Sequence, residues 1–485
     1  EPAGYGVRAV LHGPRGPLAT SESAFDVTGD WTEIPRYGFM SEFGTWDEES
    51  ETRAVQSMAR LHLNAVQFYD WLYRHETPVP TSDVFTDSLG RRLYADTIRR
   101  KIDLSRRYGM APMAYVAIYA ASPAFYEQHK DWGLYDREGQ PIDFGDGYLY
   151  IMNPAQGSGW REHMIREWLK IVETYDFDGL HIDHYGYPKV AYDARGRTVM
   201  VGPAFRSFLD ETKEKLAEQM PQRSRITFNS VANWPAALVA ESSYDFNYIE
   251  VWPPYTTYGD LETIIQASHE RSGGKATVIA AYPDRPHEPT VLLLDAFIFA
   301  HGATHIELGE GNGMLVDPYF PKFQRVDVSL WQALIRYYDF IVWYKDWLYG
   351  ARRPLSPEKH VLIDGEAAAP RPVPGRVHAV IYRSLGTPRT VVSLINLTST
   401  HTVEWKAEQP APRPAADLEV TVLVDHRPTG VWLASPDRPS LAAQPVNFTT
   451  TETPDGYAVQ FAADVAYWTV ICIETAGGQS EGGDA

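Results

Sequence analysis

The chain has 485 residues, 44% of them hydrophobic and 22% charged, with a formal net charge of −19. That length suits roughly two or three domains, and the composition is that of a core-forming chain rather than a disordered one. A negative field of this size repels nucleic-acid phosphates and anionic membrane surfaces, so neither is expected as a partner, whereas a neutral substrate is compatible with it.

Residues 6–11 and 24–27 read as two strands, too few to bury a core of their own. Residues 1–33 are therefore taken as a partial N-terminal β segment, either the end of a sandwich or strands docked on the neighbouring domain. From residue 34 to 356, short β-branched runs alternate with longer amphipathic ones. Strands are predicted at 37–43, 65–70, 111–118, 179–184, 225–230, 246–252, 276–282 and 304–308. Helices are predicted at 48–62, 95–108, 158–174, 202–219, 259–272, 290–301 and 328–346. Eight such units imply an α/β fold, a (β/α)8 TIM barrel. No glycine-rich dinucleotide turn follows the first strand, which disfavours a doubly wound sheet. The late apolar helix 328–346 contains Arg336, Asp339 and Lys345, and is too short and too charged to span a bilayer.

Beyond the barrel, β-rich runs at 377–382, 389–397 and 418–424 are punctuated by Pro and Gly, predicting an all-β, Greek-key-like C-terminal sandwich over 357–477. Residues 478–485 are polar and Gly-rich, and are expected to be disordered. The lone cysteine, Cys472, excludes an internal disulfide and a cysteine-built metal cluster.

In a barrel of this kind, the chemistry collects at the C-terminal ends of the strands. The polar residues there are Glu42, Asp70, Trp71, Tyr119, His181, Asp183, His184, Asn229, Glu250, Trp252, Tyr282, Glu307 and Glu310. Strand alternation places His181 and Asp183 on one face, and Tyr248, Glu250 and Trp252 on one face two strands later. A carboxylate buried at a strand end is costly unless it is paired or used. Two of them at about 5–5.5 Å suit a covalent glycosyl-enzyme, and at about 6.5–9.5 Å an inverting attack by water. Trp252 beside Glu250 would desolvate it and favour its proton-donating form. Asp178 is read as a turn residue, His184 as packing behind the barrel, and Glu310 as part of a flexible rim loop. His181 and Asp183 could form half of a metal site, but further ligands are missing, and neither metal nor cofactor is expected.

Several segments together resemble glycoside hydrolase family 66, the endo-dextranases and cycloisomaltooligosaccharide glucanotransferases. They are RYGFMSEF (36–43), QFYDWLYRH (67–75), YIMNP (150–154), FDGLHIDHYG (177–186) and YDFNYIEVWPP (244–254), with AFDV (24–27) ahead of them and VSLINL (392–397) behind. The resemblance implies a retaining mechanism on α-1,6-glucans, with Asp183 as nucleophile and Glu250 as general acid/base. Tyr69, Asp70, Trp71, His75, Asn153, His181, Asn229, Trp252 and Glu307 are the expected substrate-binding residues. It also implies that residues 1–33 are the remnant of an immunoglobulin-like domain. The cyclising transferases carry a module between the seventh strand and its helix. Here only PDRPHEPT (283–290) intervenes, which favours the dextranase branch. The expected partners are dextran and isomaltooligosaccharides, acted on by a secreted monomer whose leader is not in this chain. The alternatives are a cyclising glucanotransferase and a catalytically silent glucan-binding protein.

Overall fold

A computed structural model describes residues 2–476; the tail expected at 478–485 lies outside the described residues. The chain opens with an antiparallel hairpin, β1 (Ala3–Gly13) and β2 (Gly16–Val27). It docks on the helix Val328–Trp343 rather than standing alone. Gly4 and Gly6 lie so close to Val342 and Trp343 that a Cβ at either position would overlap them. Ser23 donates to Asp339 (2.9 Å), and Arg36 grips Asp26 through both terminal nitrogens (3.0 and 3.1 Å).

The central sheet is built from β3 (Tyr37–Met40), β4 (Ala65–Phe68), β5 (Ala111–Ala117), β6 (Gly179–Asp183), β7 (Arg225–Val231), β8 (Phe246–Glu250), β9 (Thr277–Ala280), β10 (Thr304–His305) and β11 (Leu308–Gly309). Neighbours from β3 to β10 pair in parallel, in chain order. The predicted eighth strand is split into two short pieces because it changes partner midway. His305 pairs with Ile279 on one side, and Gly309 pairs with Phe39 on the other. Gly309 sits where a Cβ would lie 2.4 Å from the Phe39 carbonyl oxygen, so only glycine permits the second pairing. The result is a curled parallel sheet in a mixed α/β chain.

The helices α1 (Glu48–Arg60), α2 (Ala95–Arg107), α3 (Gly159–Tyr175), α4 (Val201–Gln219), α5 (Tyr258–Arg271), α6 (Glu288–Ala300) and α7 (Val328–Trp343) fall where the periodicity predicts them. Four begin with a side-chain cap, from Asp47, Ser158, Thr257 and Asp327, each satisfying an orphan backbone N–H. Inside the sheet, Tyr37, Phe39, Met113, Phe246, Tyr248, Val278 and Ile306 form one apolar core. The opposite faces of the strands pack on the helices. Among the described residues, no helix is long and apolar enough to cross a membrane.

From Arg352 onward two antiparallel sheets, of six and five strands, face each other over a separate aliphatic core. The six-stranded sheet begins at Arg352–Pro354, which pairs with Val377–Ser384.

The segment 309–313 does not form the flexible rim expected of it. Glu310 is buried, accepts from the backbone N–H groups of Ser41 and Glu42 (2.7 and 2.8 Å), and pairs with Lys101, which also holds Glu51 at 2.9 Å. Breaking a buried pair by removing one partner strands the other charge. Lys101→Met is therefore expected to lose about 3–5 kcal/mol of stability in denaturant unfolding, part of it recovered in Lys101→Met/Glu310→Gln.

Candidate active site

Asp183 is the last residue of β6, and Glu250 the last of β8. Between them β7 carries Asn229, whose side-chain nitrogen donates to Asp183 Oδ1 at 2.8 Å and to Glu250 Oε2 at 3.0 Å. One nitrogen serving both carboxyls caps the separation of those two oxygens at the sum of the distances, about 5.8 Å. Parallel register produces this arrangement. Asn229 lies opposite Tyr248, one alternation below Glu250, so its side chain points to the same face and fills the gap between β6 and β8.

The two carboxyls have different surroundings. Asp183 accepts three hydrogen bonds: from Tyr115 Oη to Oδ2 (2.7 Å), and from Asn229 and the His184 N–H (2.8 Å each) to Oδ1. Burial raises its pKa, and these donors pull it back. Glu250 accepts from Asn229 and from Tyr282 Oη (3.2 Å) and also interacts with Trp252. Burial raises its pKa, and the negative charge of Asp183 raises it further. With one proton between them, the pair places it on Glu250 and leaves Asp183 charged.

Beneath the pair, His181 lies nearly parallel to Tyr37 and Tyr115, and Tyr37 Oη is 3.2 Å from His181 Nδ1. Burial lowers its pKa to about 3, so it is a neutral floor for the site. Asp70 carries a left-handed backbone (φ 52°). Arg91 donates to its carbonyl at 2.8 Å and lies 3.9 Å from its carboxylate. Burial still raises the Asp70 pKa to about 7. Tyr69 stacks on Phe320 (4.3 Å) and leans on Tyr115 (4.8 Å). His75 is buried near Tyr115 with Nδ1 unpartnered among the described residues, and its pKa is lowered to about 4 by burial. Trp252 keeps 38% of its surface exposed.

Two expected binding residues are placed elsewhere. Trp71 is fully buried behind the sheet, against Tyr175 and Phe177, with its indole N–H on the Tyr115 carbonyl (3.1 Å). The left-handed turn at Asp70 sends the next side chain outward, so no ring face is left for a sugar. Glu307 is buried between α6 and α7, accepting from Tyr338 Oη (3.2 Å) beside His305 and Asp295. Alternation turns Ile306 into the inner core and Glu307 away from it. Asn153 accepts the Ala155 N–H (3.0 Å) and closes the Asn-Pro turn. Asp178 is more than a turn residue, since Arg106 pairs with it. His184 packs behind the sheet against Phe205, Phe228 and Trp234, as expected.

Tyr115 is not among the expected residues, yet it donates to Asp183. The signal is available in alternation, since Met113, Tyr115 and Ala117 share a face and Tyr115 pairs with His181. Tyr282, noted at a strand end without a role, is a donor to Glu250. Replacing Tyr115 by Phe removes a donor that favours the charged form of Asp183. The acid limb of kcat/KM is expected to move up by up to about one unit, and by more than the alkaline limb, read from a pH–rate profile.

The sequence profile described as glycosyl hydrolase family 66 matches residues 2–472. The chain belongs to glycosyl hydrolase family 66. It is 25% identical over 615 aligned positions to a cycloisomaltooligosaccharide glucanotransferase of Niallia circulans, covering 94% of this chain and 63% of that protein. It is 23% identical to a dextranase of Streptococcus salivarius, covering 69% of this chain and 48% of that protein. This family 66 chain thus spans roughly half to two thirds of the length of those curated relatives. Its fold matches the solved cycloisomaltooligosaccharide glucanotransferase of Paenibacillus sp., in complex with cycloisomaltoheptaose, at TM-score 0.89 and 24% identity, over 97% of this chain and 88% of that one. The fold is also similar, at TM-score 0.59 and 12% identity, to a maltogenic α-amylase from Thermotoga neapolitana, over 92% of this chain and 99% of that one.

Proposed function

We propose that the protein is a retaining endo-dextranase, cleaving α-1,6-glucosidic linkages and releasing isomaltooligosaccharides. The observation that carries this reading is the Asn229 amide held between Asp183 and Glu250, because it sets the carboxyls too close for the intervening water of an inverting enzyme. Glu250 gives its proton to the glycosidic oxygen as Asp183 attacks the anomeric carbon and the sugar–oxygen bond breaks. Glu250, now a carboxylate, takes a proton from water; that water attacks the same carbon and frees Asp183. Tyr69 and the exposed ring of Trp252 are suited to contact sugar faces, with Asp70 and His75 at the margin. The pairing of β10 and β11 to opposite neighbours supports a closed (β/α)8 barrel over 34–356, with 1–33 and 357–477 as flanking β units.

The α-1,6-glucan substrate rests on the names of the relatives, one a dextranase and one a cyclising transferase. The transferase reading is favoured by the higher identity to the Niallia protein. Hydrolysis is favoured by the direct step from β9 to α6. The Niallia alignment also runs to 615 positions while using 94% of a 485-residue chain, so that relative carries residues inside the matched region that are not found here. Digestion of dextran with chromatographic analysis of products separates the two. Linear isomaltooligosaccharides as the main product are expected; cyclic ones would establish the transferase, and no turnover of dextran beside turnover of an α-1,4- or α-1,3-glucan would overturn the substrate.

A further inference from the structure

Away from the mouth, α5, the C-terminal cap of α6 and the strand Val377–Ser384 bring Glu262, His301 and His378 together where the curled sheet's helices meet the β sandwich. One ligand atom from each lies within 4.8 Å of the others, and His301 Nε2 is 4.0 Å from Glu262 Oε1. Both imidazoles are only 3% exposed. Among the described residues, neither ring nitrogen of His378 has a hydrogen-bond partner, and His301 Nε2 has none. Buried polar atoms without partners are uncommon and costly, and here two imidazoles leave theirs close to one carboxylate.

The tautomer is fixed on one side. His301 Nδ1 lies 2.8 Å from the Phe297 carbonyl oxygen, which can only accept, so Nδ1 carries the proton and Nε2 presents a lone pair. A histidine ligand held by its other nitrogen on a backbone carbonyl is the usual support of a metal site. His378 is held by stacking on Phe297 at 5.3 Å. Burial keeps both rings neutral, the state in which imidazole coordinates.

We propose that Glu262, His301 and His378 bind a divalent transition-metal cation of the Zn2+ type, clipping the sandwich to the helical layer. Two imidazoles and one carboxylate are an established zinc donor set, with a fourth position left for water. A cavity of about 270 Å³, lined in part by Glu262, His301, Pro354 and Arg371, adjoins the cluster and supplies both the water and an entry path. The ligand atoms are spread wider than the roughly 3.4 Å edges of a filled tetrahedron. Glu262, the least buried of the three, closes the gap by turning. Arg371 stands 3.5 Å from Glu262 Oε2 and competes with the cation for it. It is 59% exposed but is also held by the Gly259 carbonyl (2.9 Å) and the Thr263 hydroxyl (2.8 Å), so the cation must displace it from Glu262.

The test uses the full chain, stripped with chelator and titrated with ZnCl2 by calorimetry, with CoCl2 as an optical probe. One equivalent is expected to bind, to raise Tm, and to give the visible absorption of a four-coordinate Co2+ site. His378→Gln and Glu262→Gln should each weaken Zn2+ at least tenfold and abolish the rise in Tm while leaving dextran turnover unchanged. Glu262→Gln keeps the test valid should His378→Gln fail to fold, since Glu262 lies at the edge of the cavity. The absence of stoichiometric binding, or binding that Glu262→Gln leaves intact, would overturn the assignment.

Discussion

Asp183→Asn is expected to lower kcat on dextran by on the order of 10⁴-fold or more, with dextran affinity changed by no more than a few-fold. Three donors hold the Asp183 carboxylate, occupying three of its roughly four lone-pair positions. The one left, on Oδ2, is free to attack an anomeric carbon placed between Asp183 and Glu250. An amide keeps the size and much of the hydrogen bonding but has no charge to form the glycosyl ester. Asp183→Ala leaves a gap that azide can enter. Azide attack from the Asp183 side inverts the anomeric centre, so β-glycosyl azide is the expected product, identified by NMR. The α-azide would mean that azide had intercepted a covalent intermediate still formed without Asp183, which contradicts its role as nucleophile.

Glu250→Gln should lower kcat/KM on dextran by roughly 10²–10⁴-fold, the usual range for a lost general acid/base. The loss in the first step should shrink sharply on α-isomaltosyl fluoride, whose leaving group needs no proton. The pH dependence separates the two residues. In the proposed mechanism turnover needs Asp183 ionised and Glu250 protonated, so the wild-type rate is expected to fall as pH drops through the pKa of Asp183 and again as it rises through that of Glu250. Both limbs are expected above the ordinary carboxyl range of about 4, because burial raises both groups and Asp183 raises Glu250 further. The limbs belong to the coupled pair as macroscopic values. In Glu250→Gln the alkaline limb should disappear from the first step while the acid limb persists. An alkaline limb that survives would place the acid on another group.

The parallel architecture was legible because buried strands and amphipathic helices differ in period, and α1 to α7 lie within a few residues of the predicted helices. The proximity of Asp183 and Glu250 was legible for a related reason. Asp183 and Glu250 are charged residues ending otherwise apolar strands, where only a used or paired carboxylate is tolerated. Positions just past a strand end were not legible, because alternation fails once the backbone turns. The left-handed conformation at Asp70 reverses Trp71, whereas Glu307 follows alternation, with Ile306 inward and Glu307 behind the sheet, so its placement was open to the same pattern. Tyr115 stays hidden because a tyrosine inside an apolar strand looks like core until its neighbour's register is known. The His301–His378 pairing was beyond reach, since it joins residues 77 positions apart across two layers.

The most direct measurement is mass spectrometry of Glu250→Gln quenched during turnover of α-isomaltosyl fluoride, where glycosylation is fast and release is slow. The expected result is one isomaltosyl group on the peptide containing Asp183, absent when Asp183→Asn is added. An adduct on a different carboxylate, or an unmodified protein whose first product has the inverted β configuration, would contradict the double displacement.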